Sequence, residues 1–148
     1  MKLISFMLVS VVVAFFQPRT SSYTDALRSY DGAEYLAVNC SALICKAHNR
    51  ISEAKVHCMA RQLWEGCEGN LTKVTEAESL KKLDWSKAKA GDVLAVNGVH
   101  AIAYLGQGQC MDSDPLHGGA KEMSVSELMG KKNDTWYSGP VRVERWVR

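Results

Sequence analysis

The dipeptide Asn97-Gly98 lies between two short apolar runs, residues 93–96 and 99–105, and no other feature constrains the chain as much. Asn and Gly both tolerate the positive φ of a two-residue hairpin turn, so the two runs are expected to pair as antiparallel strands. Gly106-Gln107-Gly108 turns the chain again into Gln109-Cys110-Met111-Asp112, and residues 141–147 alternate like a final strand. Upstream the period changes. Residues 23–28 are weakly helical and Asp31-Gly32 breaks them. Asn39 can cap a helix on which Leu43, Ile44 and Ala47 recur at helical spacing before Asn49 and Arg50 close it. Ser52 is expected to cap a third helix over 52–63, with Val56, Met59, Ala60 and Leu63 as its apolar stripe. Residues 75–80 read as another short helix, 114–119 as a loop, and 124–129 as a last helical turn. Helices first and an antiparallel meander afterwards define an α+β fold, with N-terminal helices packed on a small antiparallel sheet.

The chain of 148 residues opens with Met1-Lys2 and an apolar run over 3–16, followed by a polar exit through Ser22. That run is short for a bilayer span and right for a secretory signal peptide, so residues 1–22 are expected to be a signal and 23–148 one secreted domain. Losing residues 1–22 removes Lys2 and Arg19 and no acid, which takes the formal charge from +2 to zero. A balanced charge gives no footing for nucleic acid, and no second apolar run offers a membrane span. The Arg142, Arg145, Arg148 series reads as one solvated face of the last strand.

Five cysteines fall in the expected mature chain: Cys40, Cys45, Cys58, Cys67 and Cys110. In an exported protein an odd count points to one free thiol beside a disulfide framework. With Cys40 free, the remaining four allow three pairings; the favoured one is Cys58–Cys67 with Cys45–Cys110. No C-x-x-C pair and no histidine at ligand spacing suggests zinc, so no metal or other cofactor is expected.

Cys40 would sit in the first turn of the Asn39-capped helix, where free N–H groups and the helix dipole favour a thiolate. A small buried cysteine or half of a disulfide is the plain alternative. A thiol nucleophile needs a base and the base needs an orienting group. Among His48, His57, His100 and His117, only His100 opens a strand just beyond a tight turn, at the rim of the sheet. His48 and His57 fall on expected helices and His117 in a Gly-rich loop. The 106–108 turn carries Asp112 back along residues 99–105, where it can accept the imidazole N–H; Asp114 competes, but Pro115 assigns it to the next turn. The backbone N–H of Cys40 is the expected oxyanion donor, with the Tyr35 hydroxyl as a second candidate and a packed surface tyrosine as its plainer role.

These residues resemble a known family. Asn39-Cys40-Ser41-Ala42-Leu43 is similar to the D-C-S-G-L motif of the NlpC/P60 cysteine peptidases. Gly91-Asp92-Val93-Leu94 and His100-Ala101-Ile102-Ala103-Tyr104-Leu105-Gly106-Gln107-Gly108 resemble its G-D-L and H-V-G-I-Y-L-G-N-G segments. Asn stands for Asp before the cysteine, Ala for Gly after the serine, and Asp112 where the family usually has His, Asn or Gln. The resemblance implies a papain-like fold with Cys40 as nucleophile, His100 as base and Asp112 as orienting residue. Small size and the signal peptide make the chain similar to the second family of type VI secretion amidase effectors and their domesticated, secreted arthropod versions. That implies antibacterial cleavage of peptidoglycan stem peptides, at the diaminopimelate–D-Ala cross-link, by a monomer. Two other readings compete: a catalytically silent wall-binding or immune module, and an acyltransferase on the same scaffold. Three sequons, at Asn39, Asn70 and Asn133, mark the chain as a glycoprotein in a eukaryotic secretory pathway, and a working Cys40 requires Asn39 to stay bare.

Overall fold

A computed structural model describes residues 22–131 and 136–148; the expected signal peptide up to residue 21 and the Asn133 sequon lie outside them. The Asn97-Gly98 turn forms, with φ 49° at Asn97 and 69° at Gly98 and the Val99 N–H donating to the Val96 carbonyl at 2.9 Å, but Val99 joins the connection, which is three residues long rather than two. The turn joins β2 (Val93–Val96) to β3 (His100–Gly106), with Val96 opposite His100. β4 (Gln109–Asp114) folds back on β3, β5 (Gly119–Ser124) on β4, and β6 (Val141–Trp146) inserts between β2 and β1 (Leu71–Ala77). The result is one antiparallel sheet in the order β1-β6-β2-β3-β4-β5.

Alternation along these strands divides the core in two. On one face Val93, Ala101, Ala103, Leu105 and Met111 pack against Leu27 of α1 (Tyr23–Arg28), Leu43, Ile44 and Ala47 of α2 (Cys40–Ile51) and Leu63 of α3 (Ala60–Trp64). On the other, Leu94, Val96, Ile102, Tyr104, Cys110 and Val143 meet Leu80, Leu83 and Tyr137, together with Leu128 of α4 (Val125–Met129). The helices start where their caps dictate. The Asn39 side chain accepts the Ala42 N–H at 2.9 Å, and Ser22 and Ser124 form capping boxes with Asp25 and Glu127. The α+β class follows directly, and no described helix is long and apolar enough to cross a membrane.

Four local expectations are corrected. The helix expected over 52–63 survives only as α3, because side chains of α2 hold the segment before it in an extended path. The Asn49 amide brackets Val56, donating to its carbonyl and accepting its N–H, both at 2.8 Å, and the Cys45 sulfur accepts the Cys58 N–H at 3.3 Å. Residues 75–80 are not a helix: Thr75 to Ala77 finish β1, where pairing with β6 overrides the helix preference of Glu76 and Ala77. Part of the expected 114–119 loop is a single 3-10 turn leading into β5, a strand the sequence does not announce. Arg142 and Arg145 do not share a solvated face. Arg142 stacks on Trp64 at 4.2 Å, whereas Arg145 pairs with the buried Asp92 from the opposite side at 2.7 Å.

Cys58–Cys67 forms, with a Cα separation of 5.8 Å, but Cys45–Cys110 does not. Cys45 belongs to the helix-covered face and Cys110 to the opposite one, so the sheet itself separates their sulfurs. Denatured, unreduced protein should therefore take up alkylating reagent at Cys40, Cys45 and Cys110, as peptide mapping will read.

The segment before α2 is strapped to β5. Gly32 N–H donates to Ala120 O at 2.9 Å, Ala120 N–H to Ala33 O at 2.8 Å and Tyr35 N–H to Gly118 O at 3.3 Å. Gly119, at φ +136°, lets the two backbones meet; a Cβ there would stand 2.0 Å from the Ala33 carbonyl oxygen. Gly119→Ala should cost at least about 2 kcal/mol, visible as a fall of several degrees in Tm.

Candidate active site

The site is assembled by the ends of three elements. Asn39 and Cys40 begin α2, His100 begins β3, and Asp112 lies near the end of β4. His100 and Asp112 share the side-chain parity of Ile102, Tyr104 and Cys110, the face away from the body of α2, so only the first residue of the helix reaches them at the strand ends. One contact fixes that placement. The Ser113 hydroxyl donates to the Val38 carbonyl, tying the strand that carries Asp112 to the segment that delivers Cys40.

His100 Nε2 and Asp112 Oδ1 are 2.7 Å apart, and both residues are fully buried. With Nε2 engaged by Asp112, Nδ1 is the nitrogen left for the thiol, and it is buried. Cys40 is unbridged and 7% exposed. Burial disfavours the imidazolium, but the hydrogen bonds and negative charge offered by Asp112 and Cys40 outweigh it and raise the His100 pKa from 6.5 to about 9. Burial likewise works against the Asp112 carboxylate. Hydrogen bonds from His100, His117 and Tyr137, with the charge of His100, prevail and hold it well below the usual carboxylate range.

Several neighbours are absent from the sequence reading. Trp136 stacks on the His100 ring at 5.3 Å and on Tyr35 at 5.9 Å, and Tyr137 meets His100 edge-on at 5.0 Å. The second oxygen of Asp112 takes the Tyr137 hydroxyl at 2.5 Å, the Lys131 ammonium at 3.3 Å and His117 Nε2 at 3.4 Å. His117, set aside for its loop, thus belongs to the site's surroundings, while His48 stacks on Trp146 at 4.0 Å and His57 lines a groove beside the first turn of α2. Asp114 does begin the next turn, where Oδ1 caps the Leu116 N–H at 2.8 Å, but its Oδ2 also joins Tyr137 and Lys131. One donor atom each from Asp112, Asp114 and His117 falls within 4.8 Å, a spacing a cation can use, and the Lys131 ammonium already supplies positive charge there. Proximity in sequence hints only at Asp114, two residues along the same strand from Asp112; nothing local marks Lys131 or Tyr137.

The N–H of Leu43 is the first in the α2 ladder, donating to Asn39 O at 2.9 Å, and Asn39 Oδ1 takes that of Ala42. The N–H groups of Cys40 and Ser41 precede the ladder. Tyr35 lies where the negative charges of Cys40 and Asp114 add to burial in raising its pKa. Scans of the chain against protein-family models and against curated proteins return no match.

Because the folded pKa of His100 lies above 6.5, its contribution to stability is complete below pH 6.5 and disappears as pH rises through about 9. Asp112, displaced downward, contributes above the ordinary carboxylate range and loses that contribution only in strong acid. NMR titration of the His100 ring should show a midpoint near 9. In Asp112→Asn the midpoint should fall by more than about one pH unit, since burial then meets less opposition.

Proposed function

We propose that the protein is a secreted cysteine amidase with a papain-like NlpC/P60 fold that hydrolyses peptide cross-links of bacterial peptidoglycan. One observation carries the reading: a buried 2.7 Å His100–Asp112 hydrogen bond set against an unbridged cysteine at a capped helix start. The order of the three residues, the residue types flanking Cys40 and His100, and the α+β arrangement support the family resemblance. The diaminopimelate–D-Ala bond is the substrate that this resemblance favours.

In this mechanism Cys40 gives its proton to His100 Nδ1, and Asp112 stabilises the resulting imidazolium through Nε2. The thiolate attacks the scissile amide carbonyl. The tetrahedral oxyanion is met by the Cys40 backbone N–H, with the Tyr35 hydroxyl as a candidate second donor. His100 protonates the leaving amine, a thioester remains on Cys40, and water activated by His100 releases the acid and regenerates the thiol. A silent binding module that uses Cys40 structurally is disfavoured by its unbridged sulfur.

Purified sacculi incubated with the reduced protein should lose cross-linked muropeptide dimers. Cys40→Ala should abolish that loss, and Asp112→Asn should lower the rate by about two to four orders of magnitude. Dimers left intact by the wild-type protein would sink the proposal, as would a glycan mapped to Asn39.

A further inference from the structure

We propose that Lys131 is a positioning residue for the catalytic apparatus: its ammonium balances the paired carboxylates of Asp112 and Asp114 so that Asp112 stays ionised beneath His100. The inference rests on reading Cys40, His100 and Asp112 as a working triad. Its basis is a proton inventory. The single hydroxyl proton of Tyr137 faces two carboxylates, Asp112 Oδ2 at 2.5 Å and Asp114 Oδ2, and it can be donated to only one of them at a time. Both aspartates are fully buried, and two carboxylates sharing one donor in a dry site retain an extra proton unless positive charge offsets them.

Lys131 supplies that charge at 3.1 Å from Asp114 and 3.3 Å from Asp112, and also donates to the Tyr137 oxygen at 2.9 Å. That last bond uses a lone pair of the hydroxyl and leaves its proton for a carboxylate. Without Lys131 the cluster keeps a proton shared through Tyr137. When that proton rests on Asp112 Oδ2, Oδ1 becomes a weaker acceptor for His100, and the imidazolium loses its partner.

The other charged or titratable groups around Asp112 are His100 on β3, Cys40 at the start of α2, His117 on the turn before β5, Cys110 on its own strand, and Lys121, its exposed register partner on β5. Glu122 of β5 and Glu127 of α4 bear on Cys110, and Tyr35 on Asp114. Of these, Lys121 and the two histidines can bring further positive charge, but Lys121 is exposed and makes no ion pair with Asp112 among the described residues. The imidazolium of His100 is committed to the thiol, and His117 lies slightly farther from Asp112 than the ammonium does.

The test needs no substrate. Iodoacetamide alkylation of Cys40 in the folded protein, followed by peptide mapping from pH 3 to 9, reads whether the His100–Asp112 couple can take the thiol proton. Lys131→Met should move the acid limb of this profile upward by about one pH unit or more. Lys131→Arg should leave it at the wild-type position. Adding Asp114→Asn to Lys131→Met should return it, because the surplus negative charge is gone while Asn still caps Leu116.

An unmoved limb in a folded Lys131→Met protein overturns the inference, as does a shift that Asp114→Asn fails to relieve, since a packing defect would not respond to charge. Should Lys131→Met fail to fold, folding of the double variant with a wild-type limb supports the charge balance. Asp114→Asn alone should not raise the limb, and a rise there overturns it. A wild-type profile with no acid limb removes the triad reading itself, whereas intact sacculi with the limb shifting as described remove only the amidase.

Discussion

A carboxylate with no exposure to water, Asp112, is the point on which the arrangement rests. Burying an ionised carboxylate without partners costs several kcal/mol, so its position is stable only because both oxygens are occupied. Oδ1 is committed to His100, and Oδ2 collects Tyr137, Lys131 and His117. These donors arrive from separate parts of the chain: the start of β3, the turn before β5, the end of α4 and the approach to β6. The same carboxylate therefore orients the imidazole and ties together segments that strand pairing and the second core bring near it. Side-chain geometry at the site and local fold stability are here one network.

The parts of this network that are legible in the sequence are those with local causes. Asn39 announces the helix start that holds Cys40, Asn97-Gly98 announces the hairpin that opens on His100, and the 106–108 turn brings Asp112 alongside. Each follows from caps, turns and alternation over a few residues. The parts that are not legible depend on distant partners. β1 contains Glu76 and Ala77, good helix formers, and becomes a strand only because β6 pairs with it. β5 contains Gly119 and Lys121, weak strand formers, and is held by β4 on one side and residues 32–35 on the other. Lys131 and Tyr137 carry no local pattern at all. They matter through where α4 ends and β6 begins.

The cysteines illustrate the same division. Their odd number points to one free thiol, but the structure leaves three, Cys40, Cys45 and Cys110; only Cys58–Cys67, the pair favoured by short spacing, is bridged. Whether Cys45 meets Cys110 depends on which side of the sheet each occupies. Strand register puts Cys110 between Tyr104 and Met123 on one face of the sheet, whereas helix packing puts Cys45 against the Cys58 backbone. Burial raises the pKa of both thiols, that of Cys110 to about 12 with help from the charge of Asp112, which makes both poor nucleophiles.

The strap of residues 32–35 along β5 has a consequence for the molecule's behaviour in crowded solution. A six-stranded open sheet has two margins whose unpaired amides and carbonyls invite a strand from another molecule. At the start of the β5 margin, up to Ala120, the chain's own backbone fills those positions, and the Asp31 side chain takes the Glu122 N–H. At the β1 margin the register slips between Lys73 and Thr75, and Lys73 and Glu76 present opposite charges outward. Neither margin offers the long, flat, uncharged ribbon on which intermolecular β-stacking grows. The fold thus leaves less open edge for strand addition than a six-stranded sheet would otherwise expose.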